Sequence, residues 1–278
     1  MDLLAGFIPD AAIERALVAG LAAGAACGLI GVFAVQRGLA FLSEGLAHSA
    51  VGGIGIGIVL GASGDEAIWI ALPFTACVAL AIGFVHRNSG LRADATIGVL
   101  FSVSFAFGAL LLGMREPSAP PVDVEAILFG SLMSISDGAL TVMLAVAMGC
   151  FAAVALLWSR LAYASFDAEL AALSGVPIAA LEYGFLTLTA TAVVISVKTV
   201  GIVLVSAFVV IPAATARLGR ANLSQLTRRA LALQAVATTA GVWVAFHWST
   251  PPGPTIVLML GVVFAGALAL QRARDDTR

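Results

Sequence analysis

Charge is scarce in this chain. Of its 278 residues only 11% are Asp, Glu, Lys or Arg, while 61% are hydrophobic. Soluble domains carry about a quarter charged residues, so this composition excludes a surface kept wet on every side. Lysine occurs once, at Lys198, and no GxxxxGK[ST] pattern surrounds it. Without that phosphate-cradling loop, any ATP hydrolysis belongs to another polypeptide. The three histidines, His48, His86 and His247, form no HExxH, which removes the helical zinc-hydrolase signature. The three cysteines, Cys27, Cys77 and Cys150, sit in apolar runs without CxxC spacing. They read as small packing residues rather than as disulfides or a thiolate metal centre. The first apolar run follows Asp2, Asp10 and Glu14 and lacks a basic flank, so no cleavable signal peptide is expected. The formal net charge of −2 carries little meaning when so much surface faces lipid, and no nucleic-acid partner is expected.

What the chain has instead is long apolar runs, with a mean hydropathy of +1.07. Its length leaves room for roughly eight to ten spans of about 20 residues. The expected fold is therefore all-α: a polytopic transmembrane bundle of about eight to nine spans, forming one domain over residues 1–278. Hydropathy and Gly/Pro punctuation place the spans at 13–35, 38–61, 67–85, 95–113, 139–158, 178–197, 200–218, 230–246 and 255–270. The seventh is weak, because Pro212 interrupts it and the break at 198–201 is short. A half-length or broken helix fits there as well as a full span. Arginines gather at 217–229, at 272–278, at 87–92 and at Arg160, whereas the stretches 65–66 and 116–137 are acidic. That asymmetry predicts a cytoplasmic C-terminus, an acidic outer face and an external N-terminus.

Within the second span the stretch SEGLAHSA places Glu44 and His48 four residues apart, on one helix face. On hydropathy alone the pair falls near the middle of the span. A carboxylate there costs about 2.5–3.5 kcal/mol on insertion scales, so it must face a partner or a water-filled path. Two roles follow. The pair is a buried hydrogen bond tying two helices, or both side chains line a pathway and transiently ligate a divalent ion such as zinc or manganese. Two ligands are few for tight binding, but a symmetric pair of subunits would supply four, and a transport path must release its ion. Gly53, Gly57 and Gly61 recur every four residues, as do Gly20, Gly24 and Gly28, and both sets predict close helix approach.

Other stretches complete the pattern. LRADATIGVLFS opens the fourth span at Leu91. FDAELAALSGVP, from Phe166, is a short amphipathic helix ended by Gly175 and Pro177. KTVGIVLVSAFVVIPAATARL, from Lys198, leads to PPGPTIVLMLG from Pro251. With SEGLAHSA, these resemble the membrane subunit of the ABC-type zinc/manganese importer family, in order and spacing over nearly the whole chain. The resemblance implies a bacterial inner-membrane permease, similar in fold to the vitamin B12 and siderophore importers. It implies a homodimer with two cytoplasmic ATP-binding subunits and an extracytoplasmic metal-binding protein, with ATP on the partner subunit and Zn2+ or Mn2+ as cargo. Glu44 and His48 match the family's metal-contacting pair. Phe166, Asp167, Glu169, Leu173, Gly175 and Pro177 match its coupling helix, the element seated in the ATPase groove. Two departures stand out: many relatives have Asp where this chain has Glu44, and Pro-Gly where it has Gly52–Gly53, so the local kink is expected to differ.

Competing roles exist for each feature. A loop helix at 166–177 also fits as an amphipathic helix on the headgroups. Lys198 snorkels to the outer headgroups or lines an outer gate. His247, beside Trp248, is an interfacial anchor or a catch for incoming metal. Pro212 shapes a broken helix near the path, Asp94 caps the fourth span, and His86 is a solvated loop residue. A secondary transporter using Glu44–His48 as a proton relay is the alternative function, and would show an internal repeat that is not visible here. An intramembrane metalloenzyme lacks any second cluster of ligands. Imidazole with carboxylate tilts the cargo towards zinc.

Overall fold

The computed structural model describes residues 11–63, 66–114, 124–130, 132, 135–219 and 221–276, and the regular structure among them is helical. The helices are α1 (Ala11–Gln36), α2 (Leu42–Val59), α3 (Ala67–Ser89), α4 (Ala93–Gly113), α5 (Val124–Phe129), α6 (Asp137–Phe166), α7 (Ala168–Leu173), α8 (Ile178–Val200), α9 (Ile202–Arg217), α10 (Leu223–Trp248) and α11 (Pro252–Asp276). Eight of them are long and apolar enough to cross a membrane. α9, at 16 residues, is about 24 Å long and falls short of a full apolar span.

Local chemistry sets the boundaries. The Ser136 hydroxyl accepts the Ala139 N–H at 3.2 Å to start α6. Asn222 and Gln225 form a reciprocal capping box that starts α10. α3 ends at Gly90, whose φ of +67° only glycine adopts freely. Asp94 does not cap α4. Arg92 holds the cap position without a side-chain bond, and Asp94 lies in the first turn, where the helix dipole favours its charge. α6 runs past the expected end at 158, because one arginine, Arg160, turns outward without breaking the backbone ladder.

The chain shuttles between two ends of the bundle. At one end the turn after α1 meets the end of α6, the end of α3 meets the start of α8 through Arg87–Glu182 at 3.1 Å, and Arg217 at the end of α9 donates to the Val35 carbonyl at 3.2 Å. At the other end Arg15 of α1 pairs with Asp137 of α6 at 3.0 Å. There too the chain turns from α8 into α9 at Gly201 (φ +83°), against Gly130 (φ +75°) after α5. A Cβ on either glycine would collide with the other's backbone. The expected break is thus at Gly201, whereas Pro212 lies inside continuous α9.

α1 and α2 are the most enclosed spans, and α4, α6 and α11 the least. α1 packs on α6, α8, α9 and α10, while α2 packs on α3, α4, α8 and α9. Val99, Val103, Met148, Leu156, Leu258 and Val262 project from the outer helices as an exposed apolar surface.

Candidate functional site

The polar pair is placed by the turn that precedes it. α1 ends where Gly38 takes φ +71° and the Leu39 N–H reaches the Ala34 carbonyl at 2.8 Å. The Leu42 N–H then bonds the Leu39 carbonyl at 3.0 Å, and α2 begins. Hydropathy counts 38–41 as span, but this turn keeps those residues out of the helix. Glu44 therefore lies in the first turn of α2 and His48 in the next, towards the α7 end, rather than mid-span. In the first turn the helix dipole also favours a carboxylate.

Glycine lets α2 sit deep. A Cβ at Gly45 would strike Ile97, at Gly52 Phe74 and the Ser104 carbonyl, at Gly53 Ala71, and at Gly57 Ala67. Gly52 and Gly53 therefore serve close approach to α3 and α4 inside an unbroken helix. Gly61 does not join this face: it lies beyond the helix, at φ +84° in the following turn.

His48 Nδ1 is 3.0 Å from the Glu44 carbonyl oxygen and 3.2 Å from Glu44 Oε1. A carbonyl oxygen only accepts, so Nδ1 carries the proton and donates. In the neutral ring the lone pair is then on Nε2, the atom available to a metal. Phe101 and Phe105 of α4 present their rings near-edgewise to the imidazole, with centroids at 5.2 and 5.7 Å. The two phenyl rings are 6.3 Å apart, so both pack on the same flank of the imidazole. The Glu44 side chain is 44% exposed and that of His48 20%, so the pair is open to solvent on this chain. No group of three or more His, Cys, Asp or Glu side chains assembles among the described residues. Glu44 and His48 alone supply one carboxylate and one imidazole. Phe101 and Phe105 were not singled out in the sequence, although their spacing of four on α4 echoes that of Glu44 and His48.

Comparison with known proteins now bears on this geometry. The sequence model of the ABC 3 transport family matches residues 10–271, nearly the whole chain. The chain belongs to the ABC 3 transport family. As a member it is a permease subunit of an ABC transporter, whose ATPase is a separate subunit. It is 32% identical to the manganese transport system membrane protein MntC of Halalkalibacterium halodurans, over 91% of this chain and 85% of that one. It is 28% identical to the chelated iron transport system membrane protein YfeD of Yersinia pestis, over 92% of this chain and 84% of that one. Its fold is similar to a chain of PsaBC from Streptococcus pneumoniae in complex with Fab, with a TM-score of 0.80, 24% identity, and 95% of this chain and 92% of that one covered.

Other residues of this ABC 3 family member fall in two places. At the α7 end, the Asp167 carboxylate accepts the Leu170 N–H at 2.8 Å and starts α7, and Gly175 (φ +84°) ends it ahead of Pro177 and α8. Glu169 lies in its first turn. Leu170 and Leu173 on the six-residue α7 are 50% and 85% exposed, and Phe166, the last residue of α6, is 70% exposed. Tyr163 and Ser174 share a hydrogen bond of 3.1 Å that ties α7 back to α6. At the opposite end lie Lys198, half-buried in the last turn of α8, and His247, exposed in the last turn of α10. His247 stacks on Trp243 at 4.0 Å and donates through Nδ1 to the Trp243 carbonyl at 3.1 Å. Pro212 is buried in α9. Lys198 and His247 thus stand apart from Glu44 and His48. Arg115 and Asp123, before α5, lie outside the described residues.

Proposed function

We propose that this chain is the permease of an ATP-driven importer for a divalent transition metal, with Glu44 and His48 as the ion-contacting pair. The observation that carries this reading is the solvent-open pair itself. Its proton sits on Nδ1, its metal-binding nitrogen is free, and its carboxylate is too exposed for a lipid-facing surface. Pairing of two permease subunits would cover that carboxylate and join two half-sites into four ligands. Manganese is the first cargo to test, since the relatives are named for manganese and chelated iron. Oxygen-rich ligation with one imidazole per chain suits it, and zinc, favoured on imidazole–carboxylate chemistry alone, is the second.

The basic end carrying α7 faces the cytoplasm, together with the C-terminus, by the arginine asymmetry of the loops. α7 is the coupling helix, and its exposed Leu170 and Leu173, with Phe166 at the end of α6, dock on the ATP-binding subunit. An extracytoplasmic binding protein delivers ions to the opposite end, where Lys198 and His247 stand near the entrance. The whole chain serves as one transmembrane domain.

The test is uptake of labelled manganese and zinc by vesicles holding the chain with its ATPase and binding protein, with and without ATP. Glu44→Gln and His48→Ala each lower ATP-dependent uptake by at least about tenfold while the complex still assembles, since losing even a supporting group of a metal site costs about 10–100-fold. Uptake that survives both changes makes the pair a structural hydrogen bond. Uptake that never needed ATP favours the proton-coupled secondary transporter instead.

A further inference from the structure

Arg37 makes contacts that neither the Glu44–His48 pair nor the exposed leucines of α7 account for. It sits in the turn between α1 and α2. Its Nε donates to Ser165 Oγ at 3.0 Å and its Nη2 to the Leu161 carbonyl at 3.5 Å. The guanidinium carbon lies 4.9 Å from the centroid of the Phe185 ring, beneath it. One side chain therefore bridges the last turns of α6 and an early turn of α8. Glu182 of α8 attracts the same guanidinium and is itself held by Arg87 of α3 at 3.1 Å.

Those two helix ends are the arms that carry α7. Ser165 stands just before Asp167, the residue that caps α7, and α8 begins just after Pro177. On its other side Arg37 is tied to the Glu44–His48 pair with little slack. The turn is closed by the Leu39–Ala34 and Leu42–Leu39 hydrogen bonds of 2.8 and 3.0 Å, and Leu42 and Ser43 are fully buried beside Glu44. A shift of the α6–α7–α8 elbow must move Arg37 or break its bonds. A shift of Arg37 in turn tilts the first turn of α2.

We infer that Arg37 is a positioning residue, a strut that transmits displacement of α7 to the Glu44–His48 turn. It rests on the proposed reading of α7 as the docking element and of the pair as the ion contact. Arginine suits the task because its planar fork donates in fixed directions while its face stacks on an aromatic ring. A lysine at the same place keeps the charge but not the simultaneous stack and fork.

The experiment measures manganese uptake and ATP hydrolysis on the same proteoliposomes, made with the full chain, its ATPase and its binding protein. Arg37→Gln lowers ions transported per ATP about tenfold, within the usual range of coupling between two sites, while hydrolysis stays within about twofold of wild type. Arg37→Lys restores part of the ratio. Ser165→Ala, which removes the Nε acceptor together with the Ser165 Oγ bond to the Leu161 carbonyl at 2.6 Å, lowers it by about two- to threefold, the Nε contact being one net hydrogen bond. A structural staple predicts a different pattern, with uptake and hydrolysis falling together in proportion. That pattern overturns the inference, as does an unchanged ratio in Arg37→Gln. Should Arg37→Gln fail to assemble, Arg37→Lys and Ser165→Ala decide by the same ratio. Wild-type vesicles without ATP-driven uptake sink the importer reading itself, a result visible before any variant is made.

Discussion

Two of the polar clusters in this apolar bundle are built in opposite ways. One is Glu44–His48 at the start of α2, open on one side. The other joins α1, α6 and α8. There the Cys27 thiol donates to Ser196 Oγ at 3.5 Å, and the Ser196 and Thr199 hydroxyls lie 3.8 Å from the Met143 sulfur. Thr199 also reaches the Ser196 carbonyl at 2.9 Å. Every member of that second cluster is sealed, at 2% exposure or less. Its donors find acceptors within the cluster, so nothing is left to offer a ligand. The first cluster satisfies one imidazole nitrogen and turns the other, with the carboxylate, outward. In a membrane protein polarity alone therefore does not mark function. The direction in which the unsatisfied atoms point does.

The largest expected effect tests that direction. In a Glu44→Cys variant, a charged, membrane-impermeant thiol reagent added to open vesicles or detergent-solubilised protein modifies the introduced thiol orders of magnitude faster than Cys27 or Cys150, as peptide mapping by mass spectrometry reads site by site. The reason is physical: the attacking species is the thiolate, which forms readily where water reaches and hardly at all in an apolar interior. Equal rates at the three sites would break the comparison, because the pair would then be as sealed as the sulfur cluster.

How much of this was legible in the sequence differs from feature to feature. The spans were, since a run of apolar residues has few other uses, and Glu44 with His48 announced itself through helical spacing. The start of α2 was misplaced because Gly38 to Phe41 are apolar by composition but turned by one positive φ. α5 escaped notice because six residues carry no periodic signal. Arg37 escaped for a different reason. Its acceptor Ser165 is 128 residues away along the chain, and no local pattern encodes so distant a partner. Likewise Met143 and Ser196 are 53 residues apart, and the sealed cluster exists only once α6 and α8 are packed. Gly61 shares the four-residue spacing of Gly53 and Gly57 yet serves a turn. Spacing proposes a face, and the helix boundary decides it.

A middle-sized effect separates what holds α2 from what α2 carries. A Cβ at Gly53 would run into the Ala71 backbone, whereas Gly98 on α4 has open space around its Cα. Gly53→Ala must push α2 and α3 apart, which lowers the thermal midpoint by several degrees, a loss of about 1–3 kcal/mol. Gly98→Ala raises it slightly, by up to about 1 kcal/mol, through helix propensity alone. Gly53→Ala also lowers uptake, because the pair moves with its helix, while Glu44→Gln lowers uptake without lowering the midpoint to the same degree. Melting curves of the purified complex with matched uptake assays read both quantities. A Gly53→Ala protein as stable as wild type would mean that α2 is not held by close packing.

The smallest effect belongs to the sealed cluster, and its smallness is the point. Met143→Leu keeps volume and shape within the core while deleting the sulfur that two hydroxyls approach. Thr199 still has the Ser196 carbonyl as acceptor, while the Ser196 O–H loses the sulfur and its oxygen keeps the Cys27 thiol as donor. Volume-conserving swaps of this kind cost less than about 1.5 kcal/mol, and a thioether is a weak acceptor to lose. The melting midpoint therefore falls by a few degrees at most. Uptake per folded transporter stays within about twofold of wild type, against the tenfold or greater loss at His48. Ser196→Ala removes the donor to Met143 and also the acceptor of the Cys27 thiol, and it too leaves uptake per folded transporter within about twofold of wild type. If either change instead lowered uptake at unchanged stability, the sulfur cluster would lie on the ion path, and closure of a polar site within the bundle would no longer distinguish packing from transport.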